Sequence, residues 1–226
     1  MNPILVAHGT RKTHGVTMIG DLADRVGDVL GARVRTAFVD VLGPTPAEVL
    51  RALPGPAVLV PAFLAGGYHV RTDIPAHVAA SRHPDVIVTD PLGPSTQLVR
   101  VMTDRMMESG WRSTDSVVMA AAGTSDPGAQ RDLRATAALL SAAIGQRVEL
   151  AYAATGGPRV ADAVTVLRAR GARRVVVTSY LLADGLFQDR LLASGADVVT
   201  EPLGTHPGVV RLIASRFRRA RLPVAA

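Results

Sequence analysis

Cysteine is absent from this chain of 226 residues. That absence removes disulfides, thiolate nucleophiles, iron–sulfur clusters and thiolate zinc sites together, so any metal must be held by His, Asp or Glu. Lysine is nearly absent too: Lys12 stands alone, and arginine carries almost all of the basic charge behind a formal +6. Aromatic residues make up only 4%. Most arginines are scattered, and the one dense cluster, "RFRRAR" from Arg216 to Arg221, sits at the carboxyl end; no nucleic-acid partner is expected from stacking rings and basic stripes so sparse. No apolar run reaches the roughly 18 residues that span a bilayer, and at the amino end the apolar residues precede Arg11 and Lys12, the reverse of a signal peptide. The expectation is a cytoplasmic protein with no membrane partner. Phosphate loops of the GxxxxGK[ST] and GxGxxG kinds, the GxSxG elbow and the HExxH helix are all missing, which leaves nucleotide binding and the common hydrolase readings without support.

What is present is a globular composition, 48% hydrophobic and 19% charged, with apolar runs of strand length: "PILVAHG", "VRTAFVDV", "AVLVPAFLA" and "DVIVTDPLG", then "SVVMAAAG", "VELAYAATGG", "RRVVVTSYLLA" and "ADVVTEPLG". They are continuous rather than alternating, as strands covered on both faces require. Helical patterns lie between them; Val16, Ile19, Leu22, Ala23, Val26, Val29 and Leu30 recur at steps of three and four. A β-α-β-α order implies parallel sheets with right-handed crossovers. The second set of strands repeats the first: Gly9-Thr10 matches Gly123-Thr124, "AFVDVLGP" matches "AYAATGGP", and "DPLGPSTQLVRVMTDR" matches "EPLGTHPGVVRLIASR". The fold class is therefore α/β, as two similar domains over residues 1–110 and 115–226. Each should carry a parallel sheet of about four strands flanked by helices, with a cleft expected between them and the join in "ESGWRSTDS".

Two copies of one unit share packing constraints, so their differences point to chemistry. His8 corresponds to Ala122, Asp40 to Ala154, and His69 to Leu186 or Phe187. Three possible metal ligands become apolar or inert together. In the first half His8 follows the first strand, Asp40 ends the second, and His69 comes shortly after the third; the carboxyl ends of parallel strands line one edge, where ligands bind. Two imidazoles and a carboxylate suit a divalent first-row metal. Gly66 and Gly67 permit close approach of a flat ligand, and "TDIPAH" reads as a helix start with Thr72 or Asp73 as cap and Pro75 in the first turn. His14, His77 and His83 read as surface residues, while His206, whose counterpart is Ser95, is a candidate ligand contact in the second half.

The segments "ILVAHGTR", "AFVDVLGPTPAEVL", "VPAFLAGGYHVRTDIP" and "PLGPS", in this order and spacing, resemble the sirohydrochlorin chelatase family of class II chelatases, with the second half as a degenerate copy. The resemblance implies a lyase that inserts a divalent metal into sirohydrochlorin or a related tetrapyrrole. Fe2+, giving siroheme, is favoured as the metal substrate over Co2+, for cobalamin, or Ni2+; the alternative is a tetrapyrrole or metal carrier without catalysis. The family's two histidine ligands and proton acceptors map onto His8 and His69. Where the family usually has a glutamate stands Asp40, one methylene shorter, which leaves direct coordination or a water-bridged role open. Thr10, Arg11, Gly66, Gly67, Tyr68, Arg71, Ser95 and His206 are the candidate substrate-binding residues, arginines suiting a polycarboxylate. No organic cofactor is implied, and the chain is expected to act as a monomer.

Overall fold

The computed structural model describes residues 1–10 and 12–220. Arg11, a candidate substrate contact, and Arg221 of the basic cluster lie outside the described residues. In chain order the elements are β1 (Asn2–Ala7), α1 (Thr13–Leu30), β2 (Arg35–Phe38), α2 (Pro46–Arg51), β3 (Ala57–Pro61), a π-helical turn (His69–Asp73) running into α3 (Ile74–Ser81), and β4 (Val86–Val88). There follow α4 (Thr96–Glu108), β5 (Ser116–Gly123), α5 (Pro127–Ile144), β6 (Val148–Thr155), α6 (Val160–Ala169), β7 (Val175–Tyr180), α7 (Leu186–Leu192), β8 (Val198–Val199) and α8 (Pro207–Ala220).

Two four-stranded sheets result, ordered β2-β1-β3-β4 and β6-β5-β7-β8, with every pair parallel. The continuous apolar runs are explained by burial: Ile4, Leu5 and Val6 of β1 and all of β3 are shielded from water. The fourth strands are short, and Ile87 and Val88 on β4 stay partly exposed, as at a sheet edge. The repeat extends to backbone detail. Phe38 N–H donates to Pro44 and Tyr152 N–H to Pro158, each at 2.9 Å; the two copies fold their second strand and following turn alike.

Two compact units form, one of residues 1–92 with Pro207 onward, the other of Gly93–His206. Their break does not follow the repeat. The closing helix of each repeat packs in the unit built by the other: α4 against α5 and β7, and α8 against α1 and β3. Nor is "ESGWRSTDS" a free join. Arg174 pairs with the buried Asp115 at 2.7 Å and donates to the Gly110 carbonyl at 3.0 Å, which fastens the segment to the second unit.

Helix boundaries follow local chemistry. The capping box of α2 is complete, Thr45 accepting from Glu48 N–H while the Glu48 carboxylate accepts from Thr45 N–H. Asp126 caps α5, and α1 and α5 both end on a left-handed glycine, Gly31 and Gly145. The buried stripe of α1 is narrower than its periodicity suggests: Ile19, Leu22, Ala23 and Val26 are buried, whereas Val29 is exposed.

What matters for function is the place of β1. The chain moves to one side of it for β2 and to the other for β3, so the order reverses at β1. In parallel sheets the carboxyl ends beside such a reversal leave a crevice that side chains from several loops reach together.

Candidate active site

His8 is the first residue beyond β1, and His69 opens the π-helical turn beyond β3. Their rings meet edge to face, with centroids 4.5 Å apart and planes at 89°. Residues separated by sixty positions in the chain are in contact because the two parallel strands are neighbours.

Each ring is oriented through Nδ1. His8 Nδ1 lies 3.0 Å from the Gly9 carbonyl oxygen; a carbonyl only accepts, so this nitrogen carries the proton. His69 Nδ1 lies 2.6 Å from Asp73 Oδ2, and a carboxylate is again an acceptor. In the neutral ring this tautomer leaves Nε2 as the lone-pair nitrogen, the one that can bind a metal or take up a proton. Phe63 stacks on His69 at 6.0 Å and 29°, and Tyr68 meets it edge-on at 6.1 Å.

The backbone builds this arrangement by a close approach. Gly9 has φ +99°, and a Cβ there would stand 2.2 Å from the Asp40 carbonyl oxygen; only glycine fits. Asp40 N–H donates to the His8 carbonyl at 3.0 Å, locking the two strand ends together. Gly123 makes the same approach in the second unit, but to Thr155, one residue beyond the Ala154 matched by sequence, because the β5–β6 register shifts between Ala121 and Gly123.

Among the described residues no three His, Asp or Glu side chains gather closely enough to hold a metal ion. Oδ1 of Asp40 accepts from Val41 N–H at 2.7 Å, and Val41 itself stands at φ 68°, a conformation that β-branched residues avoid. The loop that follows is anchored by the α2 capping box, where the Thr45 N–H and hydroxyl hold the Glu48 carboxyl below the usual carboxylate range.

Other candidates divide. Thr10 accepts from Lys12 N–H at 3.2 Å, and Thr124 accepts from Asp126 N–H in the second unit; the turn is common scaffold. The Gly67 carbonyl accepts from Val70 and Arg71 N–H and so starts the turn that carries His69. Tyr68 is 62% exposed, available to a ligand. Ser95 and His206 belong to the second unit: Ser95 caps α4, and His206 Nε2 lies 3.8 Å from Asp104. The sequence offers Thr72 or Asp73 as the helix cap, and the residue that directly precedes α3 is Asp73. Its backbone is already helical and it makes no side-chain cap, since the helix begins four residues earlier and the carboxylate turns to His69. The signal that could have found this is the His-x-x-x-Asp spacing, one turn of helix.

The second unit lacks the pair. Leu92 and Leu203 N–H donate to Phe63 and Leu181 respectively, and counting equally onward from Phe63 and Leu181 sets Phe187 opposite His69. A buried network of Ser179, Gln188 and Thr200 fills the base of that loop instead.

The CbiX family model matches residues 2–109 and again 116–220. The chain belongs to the CbiX family. Both matched segments follow the sequence repeat, so this CbiX chain carries the two-repeat class II chelatase fold. A sirohydrochlorin ferrochelatase from Priestia megaterium is 23% identical over 235 residues, covering 95% of this chain and 88% of that protein. In fold, SirB from Bacillus subtilis with Fe3+ matches at a TM-score of 0.82 and 22% identity, over 97% of this chain and 95% of that one. The sirohydrochlorin chelatase SirB from Bacillus subtilis subspecies spizizenii, in complex with cobalt, matches at 0.76 and 23% identity, with the same coverage. No helix among the described residues of this CbiX protein is long and apolar enough to cross a membrane.

Proposed function

We propose that this CbiX protein is a sirohydrochlorin chelatase, inserting a divalent metal ion into sirohydrochlorin or a closely related polycarboxylate tetrapyrrole, with Fe2+ favoured and Co2+ next. The observation that carries the reading is the imidazole pair at 4.5 Å, standing at the sheet's switch point in the first repeat and replaced by Ala122 and Phe187 in the second.

Insertion exchanges two pyrrole N–H protons for one metal ion. The Nε2 lone pairs of His8 and His69 displace part of the ion's water shell and hold it over the macrocycle. As metal–pyrrole bonds form, the imidazole nitrogens are released and accept the departing protons, which pass to water. Asp40 acts through water rather than as a ligand, consistent with its bond to Val41. Arg11, Arg71 and Tyr68, with Thr10 and the backbone at Gly66 and Gly67, receive the carboxylates and face of the ring, guanidinium forks suiting carboxylates. Iron and cobalt have both been found in relatives of this fold, and imidazole binds both ions, so the order of preference rests on the ferrochelatase likeness.

The test is anaerobic. Purified protein is given sirohydrochlorin with Fe2+, Co2+ or Ni2+ in turn, and loss of the free macrocycle is followed by absorbance. Multiple turnovers with at least one metal are expected. A single stoichiometric uptake would mark a carrier, and no change with any metal would overturn the reading.

A further inference from the structure

Nothing in the insertion chemistry above uses Asp73, yet its carboxylate makes the closest polar contact of either histidine, 2.6 Å from His69 Nδ1. The two groups are both part-buried, at 33% and 27% side-chain exposure, so water competes weakly for either. Their contact depends on the widened turn: Ile74 N–H bonds back to the His69 carbonyl, five residues away, and the helix proceeds into α3 with Ile74 fully buried beneath it. A π-type turn inserted at a helix start is costly local geometry that is frequently found at functional sites. His8 Nδ1, by contrast, meets the backbone carbonyl of its neighbour Gly9.

We infer that Asp73 is a positioning residue: it fixes His69 as the Nδ1–H tautomer and holds the ring so that Nε2 is presented to the incoming metal ion. The inference rests on the proposed chelatase reading for its purpose, but not for its geometry. With Phe63 against the ring face and Asp73 on Nδ1, rotation about the imidazole bond is blocked at two points. A hydrogen bond from the distal ring nitrogen to a carboxylate fixes the tautomer and orientation of a ligating imidazole. The two histidines are thereby unequal, His69 being the pre-set ligand and His8 the more adaptable one.

The experiment uses the full chain and needs no macrocycle. The ring nitrogens of His69 are observed by long-range 15N–1H correlation in wild type, Asp73→Ala and Asp73→Asn, and Co2+ affinity is measured by the visible absorption of the bound ion. Wild type should show Nδ1 protonated. Asp73→Ala should show a mixture of tautomers at His69 with His8 unchanged, and a fall in Co2+ affinity of about 10–100-fold. Asp73→Asn, which keeps an acceptor oxygen but no charge, should retain the tautomer and lose less affinity. An unchanged His69 tautomer together with unchanged Co2+ affinity in folded Asp73→Ala would overturn the role, as would a loss of thermal stability with no change in either readout. Absence of macrocycle insertion by wild type would overturn the chelatase reading alone, since neither of these measurements involves the macrocycle.

Discussion

A histidine at a strand end carries little of the core, and its loss should separate chemistry from folding. His8 is exposed and His69 half-exposed, whereas the strands beneath are held by Ile4, Val6 and Leu59, all fully buried. His8→Ala and His69→Ala should each abolish most single-turnover insertion while leaving the thermal melt within a few degrees of wild type. Asp40→Ala should cost less, because its carboxylate serves the turn at Val41. Near-normal insertion by the two folded histidine variants would place the chemistry elsewhere. The pair is legible in the sequence because one repeat can be read against the other: packing constraints cancel, and His8 and His69 remain. Asp73 is not legible in the same way. "TDIPAH" carries every mark of a helix start, and no periodicity announces that the helix begins earlier on a widened turn; the carboxylate assigned to a backbone cap in fact serves a side chain.

Between elements, the sharpest constraint is where strand ends touch. Gly9 and Gly123 have nearly the same left-handed φ, and each would drive a Cβ into a carbonyl oxygen. Either alanine substitution should destabilise by about 1–3 kcal/mol from backbone conformation alone. Only Gly9→Ala should also depress insertion beyond its effect on folding, since it moves His8 relative to Asp40; equal losses of insertion in the two variants would count against an active site confined to the first unit. A second joint lies at the start of β7. Asp197 accepts from Val175 N–H at 2.7 Å and pairs with Arg168 of α6 at 3.0 Å, and these partners hold its carboxyl below the usual range. Depression of a folded-state carboxyl stabilises above the ordinary range and loses that support as pH falls through the lower folded value. Asp197→Asn should therefore be less stable than wild type at neutral pH, with the gap closing below about pH 4. A gap that stays constant into acid would mean that the charge contributes nothing. These joints are only partly readable beforehand. Continuous apolar runs announce parallel strands, but the one-residue register shift that replaces Ala154 by Thr155 arises from pairing geometry, to which the residue order alone gives no clue.

At the scale of the whole molecule, the repeat and the compact unit are different objects. The sequence repeat ends with α8, yet α8 lies in the unit of residues 1–92, where Val209, Leu212, Ile213 and Phe217 are buried at spacings of three, one and four along one helical face. Two bonds fasten it there: Arg216 donates to the Pro91 carbonyl at 3.1 Å and Arg218 to that of Val29 at 2.8 Å. Half of the basic cluster thus serves packing within this unit. Sequence similarity could not disclose the exchange, because α4 and α8 have matching patterns and either could cover either sheet. The consequence can be tested by asking where a distant mutation is felt. Phe217 is 1% exposed, and Phe217→Ala should cost about 3–5 kcal/mol. If α8 belonged to its own repeat, the lost hydrogen-exchange protection would appear in β5 and β7. The packing against α1 and β3 instead requires that protection fall in α1, β1 and β3 while β5 and β7 stay protected, and that insertion weaken as the His8 and His69 loops lose their support. Protection lost first from β5 and β7 would refute the exchanged helix.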